Sequence, residues 1–322
     1  MQNLSENIDH LLPLPTNAPT CSEHSQAIGL DPCGTALNID AVFLIELPLP
    51  WPKPVFMHPD LIGLESIIDT SMGVTRVLTC QPRSNGQVTT VTVFCKEDAT
   101  FDRWVFELES NDSLMELIET LISSKPKDIT TSKQIKENKE AVLLCTQGSH
   151  DICCGSKGTR LAGQIEEQDN NIDLFKVSHL GGHRFSPTAM TLPDGRMWAD
   201  LDLEILNSIL KKRTETEQVA KFCRGWVGAK KGPEQIAEIE IFKQIGWEID
   251  NQKRDVNSST SNKGWSVEVL LSNEIWTVDI TPGRQVPTIT CRSEGGIPFT
   301  TESEYIVNSV EKLIKTETVS GS

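Results

Sequence analysis

No segment of this 322-residue chain approaches the roughly 18–20 consecutive apolar residues that a helix needs to cross a bilayer, so a membrane-spanning protein is not expected. Residues 1–20 are a polar tail with acids early and neither a basic n-region nor an apolar h-region, so no secretory signal is read there. Long basic stretches are missing too. With 30 Lys and Arg against 45 Asp and Glu the formal charge is −15, which argues against a nucleic-acid partner gripped through its phosphates. Such a charge suits a basic protein partner, or serves solubility alone. Also absent is the dense, even cysteine framework of a small secreted domain. The nine cysteines, at 21, 33, 80, 95, 145, 153, 154, 223 and 291, are odd in number and scattered. A reducing, cytoplasmic setting is therefore expected, with cysteines serving as thiols, buried small hydrophobes or metal ligands. Cys80 and Cys95, in or at the end of apolar runs, read as core. No cysteine pair has the two-residue spacing of a dithiol oxidoreductase, which argues against Cys33, in the turn Pro32-Cys33-Gly34-Thr35, as a second redox centre.

What is present is an ordinary globular composition, 38% hydrophobic and 23% charged, in a chain longer than one core usually holds. Runs at 41–47, 75–80, 88–95 and 101–108 are rich in Val, Ile, Thr and Phe and bounded by Pro, Gly or Asp, and predict strands. Helices are expected at 60–68 and 113–123, the second with Asp112 as N-cap and a stripe of Leu114, Leu117, Ile118 and Leu121. These elements make an N-terminal α/β unit over 21–125, followed by a polar, Lys-rich linker at 126–140. A second α/β unit at 141–225 reads strand 141–146, helix 158–167, strands 172–178, 189–192 and 196–199, and helix 203–212. That βαβββα order is compatible with a thioredoxin-like layer structure. A helix at 217–224 closes that unit, and a helix at 234–246, a polar loop, and strands at 265–271, 275–280 and 286–291 form an extension over 226–322 that packs on the other units. Two successive α/β units hint at a duplication.

Chemistry concentrates between 145 and 183. Cys145 ends the apolar run 141–144, at the carboxyl end of a predicted strand, where α/β folds hold ligands. Cys154 precedes a predicted helix, whose N-terminal N–H groups favour a thiolate. His179 and His183 flank Leu180-Gly181-Gly182, and since each glycine costs a helix about 1 kcal/mol, the pair is expected in a loop folded closely around an ion. Thiolate with imidazole is the donor set of zinc and of Rieske-like [2Fe–2S] clusters. Structural zinc sites place two to four residues between cysteines and three to five between histidines. The histidine pair fits with three between, and the cysteine pair, with eight between, does not. A two-iron cluster can take both thiolates on one iron and both imidazoles on the other, although the Cys-x-His arrangement of Rieske centres is missing.

The strings CTQGSHDICCGSKGTRLA (145–162), SHLGGHRFSPTAMTLPDGRMWADL (178–201) and, more loosely, CRGWVGAKKGPEQIAEIEIF (223–242) resemble the sucrase/ferredoxin-like family of thioredoxin-fold ferredoxins. The segment GLDPCGTALNIDAVFLIELPLPW (29–51) is similar to that family's opening, so the resemblance spans about residues 21–295. It implies an α/β fold with a thioredoxin-like ferredoxin domain, and a [2Fe–2S] cluster held by Cys145, Cys154, His179 and His183. Gln147 stands where bacterial members often carry His, a change of polarity near the cluster rather than of a ligand.

Cys153 is read as a packed or hydrogen-bonding neighbour, with roles as alternative ligand or resolving thiol left open, and His150 is a weaker competitor for ligation. Asp151 is a candidate to accept a hydrogen bond from a ligand imidazole. Arg184 shapes the field at the cluster, contacts an acidic group, or is solvated. The seven Trp read mostly as core. Replacing two thiolates by neutral imidazoles raises the potential, from about −150 mV upward, and makes it pH-dependent if a ligand imidazole takes a proton on reduction. The expected role is thus one-electron transfer between redox partner proteins, more carrier than enzyme. The alternatives are a zinc-binding structural or interaction module on the same four ligands and a thiol-based oxidoreductase using Cys153 or Cys154. Sugar hydrolysis lacks an identifiable carboxylate pair.

Overall fold

Ten of the extended segments pair side by side into one large sheet, and four more make a second, smaller one. A computed structural model describes residues 8–13, 19–68, 73–83, 89–108, 113–124, 126–129, 134–137, 139–168, 172–272, 274–291 and 300–314. The large sheet takes β1 (Ala41–Glu46), β2 (Thr75–Cys80), β3 (Thr89–Glu97), β4 (Thr100–Leu108) and β5 (Gln134–Glu137) from the first half of the chain. From the second half come β6 (Ala141–Cys145), β7 (Asp173–Val177), β8 (Ala189–Leu192), β9 (Arg196–Trp198) and β10 (Cys223–Trp226). The fold is α/β, as the alternation predicts.

Both halves follow one plan. β1 lies between a parallel β2 and an antiparallel β3, with β4 beyond; β6 lies between a parallel β7 and an antiparallel β8, with β9 beyond. The central strands β1 and β6 are flanked on both edges and covered on both faces, which is why their sequences run AVFLIE and AVLLC without polar alternation. The halves meet where β2 and β7 run antiparallel at Cys80 and Val177, bridged by Gln81 N–H to the Lys176 carbonyl and Ser178 N–H to the Thr79 carbonyl.

α1 (Cys21–Ala27) begins in a capping box between Thr20 and Glu23 and packs on the 3-10 turn His183–Phe185. α2 (Leu64–Ile68) and α3 (Leu114–Ser123) cover the first half, α3 through the expected Leu114, Ile118 and Leu121. Asp112, the expected N-cap, lies outside the described residues. α4 (Thr159–Glu166) connects β6 to β7, and α5 (Leu203–Lys211) follows β9.

Four readings need correction. The helix expected at 217–224 stops early: α6 (Thr216–Ala220) gives way to β10, because Gly225 takes a positive φ of 145° that a helix cannot hold and its neighbours Cys223, Arg224 and Trp226 bury against β9. The connector before Ala141 carries β5, paired to the edge of β4. The loop expected after Gly246 holds β11 (Arg254–Ser261), an edge strand whose largely exposed side chains give no apolar period. The strands expected at 275–280 and 286–291 are one, β13 (Glu274–Thr288), bent by register shifts around Pro282–Gln285 and paired to β14 (Thr300–Ile314), for which no strand was expected.

α7 (Gly232–Ile245) is buried almost all round because it is wedged between the two sheets, its polar Glu234, Gln235 and Glu238 included. Its Ile236, Ala237, Ile241 and Phe242 share a core with Trp198 of β9 and with Val267 of β12 (Gly264–Leu271) and Val278 of β13. Glu238, fully buried on the same helix, is held by Arg196 at 2.9 Å and Arg254 at 3.1 Å, and Arg196 also donates to Asp250 at 2.7 Å. Among the described residues no helix is long and apolar enough to cross a membrane.

Candidate metal centre

β6 delivers Cys145 at its carboxyl end with the thiol wholly buried, and the chain returns to it at Cys154, which opens a π-helical turn (Cys154–Gly158) leading into α4. The return needs Gly158: a β-carbon there would lie 2.0 Å from the Cys145 carbonyl oxygen. β7 ends at Val177, and the next residues carry the histidines. His179 is held by its backbone. Its N–H donates to the Gln147 side-chain oxygen at 3.0 Å and its carbonyl accepts from Arg76 at 2.7 Å. Gln147 is itself tied to the Pro52 carbonyl at 2.8 Å. Beyond it the loop turns through Gly181 and Gly182 at φ 79° and 70°, against Arg224, which donates to the Gly181 carbonyl at 3.1 Å and to Thr35. The expectation of a glycine-turned loop for the histidine pair holds.

The donors converge. His179 Nδ1 lies 3.9 Å from Cys145 Sγ and 4.0 Å from Cys154 Sγ, and one donor atom from each of the three falls within 4.8 Å of the others. His183 stands one step away, its ring centre 6.0 Å from that of His179. Its Nδ1 faces Asp151 Oδ2 at 3.3 Å and Cys21 Sγ at 3.2 Å. The contact expected of Asp151 with a histidine is thus present.

The electrostatics follow from burial and from shared protons. The Cys154 thiol donates to Cys145, which with His179 beside it holds the Cys145 thiol well below its usual range despite complete burial, and the same bond pushes Cys154 up. Burial pushes the His183 imidazole down against the pull of Asp151. His150 stacks on His179 with ring centres 3.5 Å apart, and burial beside that ring and Lys53 drops it to about 3. His150 is not among the three converging donors. Arg76 and Arg224 bring positive charge to the thiols, burial lowering Arg224 to about 10.

Cys153, next to Cys154 in sequence, turns to the other side and meets Cys21 and Cys291. Neither partner has a spacing signal, since they lie 132 and 138 residues away. Gln147, seen in the sequence only as a change of polarity, positions His179. Arg184 pairs with Glu302 and lies over Phe185, the acidic-group alternative of its three readings. The Cys33 thiol donates to the Ala220 carbonyl and packs against the core, and burial pushes it up, so it makes a poor redox centre. Cys80 is buried as expected, and so are Trp51, Trp198, Trp226 and Trp276.

Two buried sulfurs with imidazole nitrogens at their side form a soft metal-binding donor set. The family model described as Sucrase/ferredoxin-like matches residues 32–225, well over half of the chain, and that span contains all of these donors except the outlying Cys21 and Cys291. Comparisons with curated proteins and with solved structures returned no match. The chain belongs to the sucrase/ferredoxin-like family.

Proposed function

We propose that Cys145, Cys154, His179 and His183 hold a [2Fe–2S] cluster and that the protein carries single electrons between redox partner proteins, a reductase and an acceptor. The observation that carries this reading is the convergence of two fully buried thiols and an imidazole nitrogen within 4.8 Å, with a second imidazole supplied by the same loop. Two sulfurs and two nitrogens suit a cluster whose two irons are ligated differently. When bound, such a group supplies one-electron chemistry at a potential raised by its neutral imidazoles relative to four thiolates.

The chain's own residues prepare the site. Arg76 and Gln147 fix the carbonyl and the N–H of His179, which sets where its ring can point. Arg76 and Arg224 supply positive charge beside buried thiolates that would otherwise be costly. His150 stacks on one face of the His179 ring. Asp151 Oδ2 accepts a hydrogen bond from the Nδ1–H of His183, leaving the other ring nitrogen for a metal. A cleft of about 260 Å³ lined by Lys53, Val55, Phe56, Arg76, His150 and His179 gives a partner protein an approach to within one ring of the donors.

The ligand assignment is testable on the intact protein. Nitrogen hyperfine couplings measured by pulsed EPR on the dithionite-reduced protein should reveal two histidine nitrogens, and His179→Cys and His183→Cys should each lower the potential by adding a negative ligand. A reduced cluster with no histidine coupling, and potentials that both substitutions leave unchanged, would sink this ligand set.

A further inference from the structure

Beside the family's site lies a second group of donors that it does not use. The three sulfurs of Cys21, Cys153 and Cys291 form a near-equilateral triangle with sides of 3.6 Å (21–153), 3.1 Å (153–291) and 3.3 Å (21–291). Asp151 closes the group: its Oδ1 is 3.3 Å from Cys291 Sγ and 3.7 Å from Cys21 Sγ, and all four donors lie within 4.8 Å of one another. Two of the three cysteines fall outside residues 32–225, so the arrangement belongs to this chain's flanks rather than to the matched span.

We propose that Cys21, Cys153, Cys291 and Asp151 bind one divalent soft cation of the zinc class, separate from the cluster site. Three independent features support it. A zinc ion about 2.3 Å from each sulfur in tetrahedral geometry keeps them about 3.8 Å apart, so the sides of this triangle, at 3.6, 3.1 and 3.3 Å, need to open by less than about 1 Å. A disulfide needs about 2.05 Å, takes two sulfurs, and leaves the third thiol and the carboxylate without a role. Second, Asp151 is buried, and among the described residues its ion-pair contact is with His183 alone, with no Lys or Arg upon it. Buried carboxylates are paired or coordinate metals. Third, polar hydrogens support the donors as they do around bound metals: the Cys21 N–H points to Cys291 Sγ at 3.3 Å and the Cys153 N–H to Asp151 Oδ1 at 2.8 Å.

The choice of ion follows from the donors. Thiolates select zinc over calcium or magnesium, and one central ion explains three sulfurs at similar separations, whereas a multi-iron cluster takes its cysteines on different metal atoms. The ion would join the first residue of α1, the loop between β6 and α4, and the chain just beyond β13, segments up to 270 residues apart. Such a clamp closes very long loops and couples the folding of both flanks to metal. The site shares no proposed ligand with the cluster and stands whether or not that reading does.

The test is metal analysis of the full-length protein, purified anaerobically without chelator, with iron, zinc and free thiols measured on one sample. One zinc per chain is expected. It should be lost in both Cys21→Ser and Cys291→Ser with iron content unchanged, and Co²⁺ added to zinc-stripped protein should give the intense visible bands of tetrahedral thiolate coordination. Because Asp151→Asn keeps the shape of the side chain, it checks against misfolding: weaker Co²⁺ binding with a native circular dichroism spectrum supports the site. Three outcomes overturn it: no zinc and no thiolate-type cobalt spectrum; a thiol count two short with a mass lower by two hydrogens, which is a disulfide; or zinc lost from Cys145→Ser or Cys154→Ser but retained in Cys21→Ser and Cys291→Ser.

Discussion

Gly182 shows how much of the site depends on single atoms. Its φ is 70°, and a β-carbon would fall 2.6 Å from the Arg224 guanidinium that ties the histidine loop to Thr35. Gly182→Ala is predicted to cost about 1–3 kcal/mol in thermal or denaturant unfolding. Gly163→Ala, inside α4 with nothing within 4 Å of its β-carbon, is predicted to stabilise by about 0.5–1 kcal/mol in the same assay. At this scale the sequence was informative where chemistry repeats locally. Cys145 and Cys154 lie on one return of the chain and His179 and His183 on one loop, so their spacing carried meaning. Cys21 and Cys291 meet Cys153 only through tertiary packing, and nothing near them in the sequence announces it. Arg224 was hidden for another reason: it was expected on a helix, where its side chain would not face the histidine loop.

Among elements, the strands and helices with a buried face were legible because burial imposes a period. Those of the second half, from β6 to α5, follow the expected βαβββα order. Edge strands escaped, β5 and β11 above all, since a strand with one free side need not alternate. The seam between the halves is also invisible in sequence. There Asp173, on β7, is held by Arg83 and Arg103 from the first half. Burial alone would raise its carboxyl, but the two guanidinium groups outweigh it and leave it below the usual range. The sign follows: the carboxylate's stabilisation is present above about pH 4, the ordinary aspartate value, and is lost as pH falls through the lower folded value. Asp173→Asn should therefore destabilise by about 3–5 kcal/mol at neutral pH, with a smaller difference from the parent at strongly acid pH. Equal destabilisation at pH 7 and pH 2 would contradict it. Glu238→Gln, which leaves Arg196 and Arg254 facing a neutral amide inside the α7 core, should cost a similar amount in urea unfolding.

Taken whole, the chain repeats one sheet plan twice and then covers the second copy with α7 and a four-stranded sheet. α1, near the start of the chain, lies against His183–Phe185 of the second half. That placement brings Cys21 to the histidine loop, its sulfur 3.2 Å from His183 Nδ1. A net charge of −15 adds a long-range effect. If redox partners are basic, their association rate should fall by about tenfold or more between about 0.01 and 0.5 M ionic strength, as stopped-flow mixing with a basic electron-transfer protein would reveal. The central claim is tested most directly by the visible and EPR spectra of anaerobically purified protein before and after dithionite, with iron and sulfide assayed on the same sample. The account predicts a brown protein with about two irons and two sulfides per chain and a low-average-g signal on reduction. A colourless protein without iron or sulfide, its Cys145 and Cys154 thiols free or bound to zinc, would contradict it.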